Sequence, residues 1–539
     1  MSLTARMRRL AAHVPLWMLV AVLLGGYIGP PPSTAADARI SELTDGTPAV
    51  AGDYVPVSRT AGVATRKVTA QSIANLGSVV FNVKLPPYNA VGNGTADDTV
   101  AVQAALTAGA AATVYFPPGT YKISAYLDVP AGTTVIGAGR GSKILAAATA
   151  FAVNSLPAPD GAGASAIFYA GAANTVFRDL YVAGAYAGTG ASGTVFGIYL
   201  GTNSTNCTVE GVWLEDHSWS GLLVHGSGHL IRGNYTKHNA IDGIEIYDAS
   251  ATRVIGNYLT GDGAASANGV AGIEVTAVTA STGILIHGNI IKDSAASGIV
   301  TSPAAGITLK DLTITSNQVL SPALKGITVA VSGATQTDVL IADNIVDTPL
   351  GSGGSGHGIF VYDVTRFTIR GNSVRGATVG SGPSGIKIAG ASTRGVVSSN
   401  ILTGNWVGLE IADTANNIAV LTNHIYTNSG ADTSITTSGA GIGDVPTFGR
   451  FYLQYTNTAT VGAVTINKPK MRVNIATAGT SVVVTNSLVT AASTVLCQAS
   501  TNDTTAQVKN VVPAAGSFTL TTVAVTAQTS FDCVLFNAD

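Results

Sequence analysis

The sequence predicts an all-β protein built around a right-handed parallel β-helix, and three observations carry that expectation. Asparagines recur at Asn234, Asn257, Asn289, Asn317, Asn344, Asn372, Asn400 and Asn423, at gaps of 23, 32, 28, 27, 28, 28 and 23 residues. An aliphatic stands three residues before each (Ile231, Val254, Ile286, Ile314, Ile341, Ile369, Val397, Val420), and an aliphatic or Thr stands two after. A Gly-aliphatic pair runs in phase, from Gly243-Ile244 to Gly408-Leu409. Repeats of this length mean stacked units, none of which buries its apolar face alone. Each unit holds short β-branched runs punctuated by Gly, Asn, Ser and Asp, which read as strands and turns, with one rung per repeat.

Composition agrees. Charged residues make up 11% of the 539, and 63 are Gly, which suits walls of β-branched side chains joined by tight turns. A net charge of −2 gives no basic surface for nucleic acid or an anionic membrane. The cysteines Cys207, Cys497 and Cys533 lack metal-ligand spacing. Cys497 and Cys533 are placed to pair if the chain is exported, and a reduced, buried state fits equally.

Taken in order, residues 1–38 read as an export signal or anchor. Arg6, Arg8 and Arg9 precede the apolar run Leu16 to Ile28, and Ala36-Asp37-Ala38 has the small residues of a cleavage site. Residues 39–77 form a small module around Tyr54-Val55-Pro56-Val57, ending in a helix-like piece from Thr69 to Leu76. Together with Ile40-Ser41-Glu42-Leu43 and Arg66-Lys67-Val68-Thr69, this resembles the N-terminal segment of bacteriophage tail proteins. The resemblance implies attachment to a tail or baseplate.

The β-helix is expected over 79–428. Its opening motif, 79–145, contains Tyr88-Asn89-Ala90-Val91-Gly92-Asn93-Gly94-Thr95-Ala96-Asp97-Asp98-Thr99 and then Val114-Tyr115-Phe116-Pro117-Pro118-Gly119-Thr120-Tyr121. Asp98 or Thr99 is suited to cap a helix whose apolar face is Val100, Val102, Ala105 and Leu106. That helix would close the open end of the solenoid. The motif resembles that of the pectate-lyase-like superfamily, which includes phage tailspikes, polysaccharide lyases and hydrolases; Asn93 stands where that family usually has Asp. Phe177-Arg178-Asp179-Leu180-Tyr181 and Thr208-Val209-Glu210-Gly211-Val212-Trp213 read as early rungs, and the inserts Ala146–Ala164 and Ala183–Thr194 as loops overhanging a groove. A linker is expected at 429–443 and an antiparallel β-sandwich over 444–539. Val511 to Phe518 resembles a C-terminal module of phage tail proteins, which implies a homotrimer.

Strand alternation places chemistry on the outside. Two residues after each glycine comes an outward column: Tyr199, Leu223, Glu245, Glu274, Val300, Thr328, Phe360, Lys387, Glu410. A second column contains His225, Tyr247, Thr276, Ser302 and Tyr362. Glu245 and Glu274 should therefore be neighbours. A carboxylate pair is the minimal equipment for glycoside hydrolysis, and two close carboxylates raise one another's pKa. Asp242 and Asp248 flank the same strand and enlarge the candidate catalytic set. Two solvated glutamates or a cation site are the plain alternatives. Candidate substrate contacts are Tyr247, His225, Phe360, Tyr362 and the run Trp213-Leu214-Glu215-Asp216-His217-Ser218-Trp219. In that run, Glu215, Asp216, His217 and Trp219 supply groups suited to sugars, unless Trp213 packs inward and the rest decorate a turn.

The fragments Asp242-Gly243-Ile244, Gly356-His357-Gly358 and Gly385-Ile386-Lys387 resemble pieces of polygalacturonase motifs. Val270-Ala271 and Gly385 replace the acidic pair and the Arg, and His357 lies 115 residues after Asp242. The Asn column is expected to be structural, its stacked amides bonding to one another. No metal or other cofactor is expected. The function anticipated is a secreted or virion protein that binds and cleaves a bacterial surface polysaccharide. The alternatives are a non-catalytic glycan-binding tail or adhesion protein, and an exported lyase or polygalacturonase-like enzyme.

Overall fold

A computed structural model describes residues 54–57, 66–69 and 80–536, apart from 152–155, 157–164, 189–193, 264–270, 331–332, 352–354, 381, 436–460, 468–469 and 502–504. The signal-like segment, the helix-like piece after Thr69 and parts of both inserts lie outside the described residues. The chain divides after Ala74. The first unit contributes one antiparallel hairpin, Tyr54–Val57 against Arg66–Thr69.

The second unit contains three long sheets of 12, 14 and 13 strands. We call them the first wall (Leu127–Asp128 to Ala431–Ile435), the second wall (Val80–Asn82 to Asn416–Leu421) and the third wall (Asn93–Asp97 to His424–Tyr426). Each rung visits them in that order: Leu222–Ser227, Leu230–Arg232, Tyr235–Lys237, then back to the first wall at Ile244–Ser250. All pairing within the walls is parallel, so the anticipated stacking is present. One apolar core runs from Val83 to Ile425. No helix among the described residues is long and apolar enough to cross a membrane.

Two sequence marks have visible causes. Each Asn of the column is buried, and from Asn257 onward its Oδ1 accepts both the backbone N–H and the Nδ2 of the Asn one rung earlier, as Asn344 does from Asn317 at 2.9 and 3.0 Å. Each Nδ2 also donates to a strand carbonyl, Asn344 to Ile314 O at 2.9 Å. The in-phase glycines lie where the chain turns into the first wall. A Cβ on Gly326 would overlap the Val346 side chain and the Gly358 carbonyl of the next rung. Gly326→Ala should therefore cost about 1–3 kcal/mol, the usual penalty of overpacking, read as a lowered thermal midpoint.

The opening motif differs in detail from expectation. The helix Thr99–Ala108 follows Asp98, but that side chain makes no cap. It instead accepts from Val91 N and Gly92 N at 2.6 and 3.0 Å, closing the preceding loop. Val102, Ala105 and Leu106 enter the core, whereas Val100 is 82% exposed: two residues before Val102, it lies about 200° round the helix, on the opposite face. Asn93 builds a local turn, accepting from Thr95 N and Ala96 N. At the far end, the expected linker contains one more first-wall strand, Ala431–Ile435, paired with Val407–Ile411. Beyond residue 460, a four-stranded and a three-stranded sheet share a core of Val473, Val484, Phe518, Leu520 and Phe531. One pair there is parallel, Val464–Thr465 with Ser481–Thr485. Cys497 and Cys533 face each other across antiparallel strands and are disulfide-bonded.

Candidate functional site

The outward column is realised along the first wall without a slip. Tyr199, Leu223, Glu245, Glu274, Val300, Thr328, Phe360, Lys387 and Glu410 are successive register partners. Ile244 and Ile246 alternate with Glu245 and enter the core, which turns the carboxylate outward. Asp242 precedes the in-phase Gly243 and joins from the turn. One carboxylate oxygen each of Asp242, Glu245 and Glu274 lies within 4.8 Å of the other two.

The three are sunk into the wall, at 0%, 9% and 6% exposure. Ser220 Oγ lies 2.9 Å from Glu245 Oε2 and 3.4 Å from Asp242 Oδ2. Ala271 N donates to Asp242 Oδ1 at 2.8 Å, and Ser302 Oγ donates to Glu274. Burial, then the charges of Glu274 and Glu245, hold Asp242 well above the usual carboxylate range, and a hydrogen bond with Glu274 favours its protonated form. Burial and the charge of Glu274 push Glu245 up to about 7. The cluster thus keeps a proton where ordinary carboxylates have lost theirs. Three oxygens at this spacing also form a hard-donor set of the kind divalent cations take.

Aromatic groups lie beside the acids. Tyr199, His225 and Tyr247 form a stack, with ring centroids 5.3 and 4.9 Å apart, and Tyr199 Oη is 3.2 Å from His225 Nε2. Leu156 of the first insert joins Tyr169, Phe196, Tyr199 and Leu223 in an apolar patch outside the core, against which Trp219 and Tyr247 pack. Phe360 and Tyr362 stand further along the same wall, 5.9 Å apart.

Other candidates lie elsewhere. The run from Trp213 to Trp219, offered as candidate substrate contacts, turns a corner. Trp213–Glu215 is a third-wall strand. Trp213 faces outward, stacked on Tyr235 at 3.9 Å beneath Arg140, and does not pack inward. Glu215 is held by Lys237 and Tyr181, both at 2.8 Å. Asp216 sits at the turn with positive φ, 3.4 Å from His238. His217 is fully buried, bonded to Asn239, and burial lowers it to about 4. Asp248 is likewise apart from the acids, because it accepts from Val278 N and Thr279 N at the strand's other end. Sequence reasoning missed Ser220; its place before an in-phase glycine, matching Asp242 one rung on, was the available signal.

Comparison with known proteins follows these lines. Residues 80–300 match the family model described as rhamnogalacturonase A/epimerase, pectate lyase-like, and residues 220–383 match the right-handed β-helix region. Mannuronan C5-epimerase AlgE6 of Azotobacter vinelandii is 31% identical over 182 residues, covering 30% of this chain and 20% of that protein. AlgE3 of the same organism is 39% identical over 75 residues, 12% of this chain and 4% of that one. The chain thus spans a small part of either relative. The Dettilon tailspike protein superposes with a TM-score of 0.55 at 16% identity, covering 86% of this chain and 94% of that one. The three parallel walls make the chain a right-handed parallel β-helix, and over residues 80–300 it is similar to the pectate-lyase-like family model.

Proposed function

We propose that this protein binds and cleaves a bacterial surface polysaccharide, with Asp242, Glu245 and Glu274 as the reacting carboxylates. The observation that carries this reading is their convergence on the outer face of one wall, where one group is kept protonated and another titrates near neutrality. A glycosidic bond breaks when an acid protonates the leaving oxygen while a second carboxylate attacks or activates water. Asp242, which retains its proton, suits the acid role; Glu245 or Glu274, when ionised, suits the other. Their close approach fits the shorter carboxylate separation of about 5–5.5 Å, used with a covalent intermediate, better than the roughly 6.5–9.5 Å that accommodates a water. Tyr247 and Trp219 supply flat faces for sugar rings beside the acids, with His225 stacked behind Tyr247 as its support. The reading includes an extracellular or virion location, attachment through residues 39–77 and a homotrimer.

The test is incubation with panels of capsule and lipopolysaccharide, followed by separation of the products. New reducing ends without ultraviolet-absorbing unsaturated sugars are expected. Unsaturated products would mark a lyase instead. Retention of glycan without products would leave a binding protein and end the catalytic reading.

A further inference from the structure

Beyond the acids, the same wall changes sign. Two rungs past Glu274 in register come Thr328 and, in the turn before its strand, Lys325. The next rungs bring Phe360 and then Lys387. Lys325 Nζ lies 5.5 Å from the Phe360 ring centre, and His357 stacks on that ring at 5.3 Å. Ser384 N donates to His357 Nδ1 at 2.9 Å, so Nε2 carries the ring proton. Burial first, and then the charges of Lys387 and Lys325, lower His357 to about 3, so it stays neutral.

Two groups here lack what burial normally demands. Lys325 is partly buried and its ammonium is destabilised by that burial, yet no carboxylate pairs with it among the described residues. Thr328 Oγ1 is buried with no hydrogen-bond partner, in a residue only 8% exposed. Lys387 is paired with Glu410 at 2.9 Å, so the cluster retains one uncompensated positive charge. A half-buried cation and an orphan hydroxyl on one outward face are costly unless an outside acceptor completes them.

We propose that Lys325, Thr328, His357, Phe360 and Lys387 form a subsite for a carboxylate-bearing sugar of the glycan. The anion would sit against Lys325 and Thr328 with its ring edge over Phe360. Rungs are about 4.8 Å apart, which sets this subsite about 10–19 Å along the wall from Glu274. A carboxylate at Asp242, Glu245 and Glu274 would instead meet like charge. The substrate class that fits both places is a heteropolysaccharide in which acidic residues are separated by neutral ones, not a homopolymer of uronic acid. The assignment of a substrate rests on the reading of the acids given above; the anion subsite does not.

The test uses the full chain and calorimetric titration with short hyaluronan oligosaccharides, in which glucuronate alternates with a neutral amino sugar. Oligogalacturonate and maltodextrin serve as the all-acidic and neutral comparisons. Tightest binding to the alternating probe, weakening with salt, is expected. Lys325→Ala should lose at least about ten-fold in affinity, as for a hydrogen bond to a charged group, and Lys325→Arg should retain binding. Thr328→Val should weaken binding while leaving the thermal midpoint unchanged or raised, which a purely structural threonine would not do. Unaltered affinity in Lys325→Ala, binding of oligogalacturonate as tight as of the alternating probe, or no binding of any acidic probe would overturn the proposal. Binding without cleavage of any glycan would sink the catalytic reading and leave the subsite. Cleavage of a neutral glycan, unaffected by Lys325→Ala, would do the reverse.

Discussion

Glu245→Gln is expected to reduce glycan cleavage by about 10²–10⁴-fold, the usual contribution of a positioned acid or base, while the coil stays folded. The amide is nearly isosteric and can still accept from Ser220, but it can neither take up nor release a proton. The same substitution has a signature in stability. Glu245 titrates at about 7 in the folded protein, against the ordinary glutamate value of 4.5. Between those values the folded chain holds a proton that the unfolded chain has released, so stability falls as pH rises across that window. The burial that poises the group thus costs stability at neutral pH, on the order of 3 kcal/mol. Glu245→Gln removes the titration. It should melt with the parent at pH 4 and above it at pH 8, as followed by thermal denaturation. A variant that retains full activity, or that melts below the parent at pH 8, would move both the site and the proton elsewhere.

The sequence exposed the wall and its order of side chains because a β-helix converts a period into a spatial neighbour. Once Gly243-Ile244 and Gly272-Ile273 are in phase, Glu245 and Glu274 must be partners, and the register agrees from Tyr199 to Glu410. Asp242 was legible as a flanking acid, but its descent beside the glutamates depends on how the turn before Gly243 bends. Turn geometry carries no period, so the places of Asp248, Glu215 and Asp216 relative to the acids could not be read from it. Glu215 and Asp216 sit beside a corner, where one step in sequence changes the wall a side chain serves, and Asp248 lies at a register shift within the strand Ile244–Ser250. Asp216 and Asp248 adopt positive φ, which re-aims the chain at the point where alternation stops being a guide. His217 is a different case. Its composition looked functional, but the turn residues facing the axis form a polar ladder of their own: His217 to Asn239, then Asn239 to Asp262 at 2.8 Å.

Asn344→Ala should be among the most damaging single changes in the coil. The side chain accepts from Asn317 N and Asn317 Nδ2 and donates to Ile314 O and Asn372 Oδ1. Alanine leaves an unpaired backbone N–H, an unpaired amide hydrogen and an under-bonded carbonyl, all in a region where Asn317 and Asn344 are 0% exposed. At about 1–3 kcal/mol for each of these three buried groups, the loss is roughly 3–9 kcal/mol, with a cavity penalty in addition. Asn344→Asp separates the two halves of the ladder. Its oxygen keeps the bonds from Asn317 but cannot donate to Ile314 O or Asn372 Oδ1, and it brings a buried charge that must be neutralised. It should therefore lose stability more steeply at high pH than at low pH. Because each rung touches only its neighbours, the damage should begin locally. Hydrogen exchange should accelerate first at Asn317 and at strands Gln318–Leu320 and Ile345–Asp347, before the first-wall strand Ile244–Ser250 is affected. Uniform acceleration along the whole coil would instead mean that the rungs unfold as one unit and that the ladder couples them more strongly than nearest-neighbour stacking.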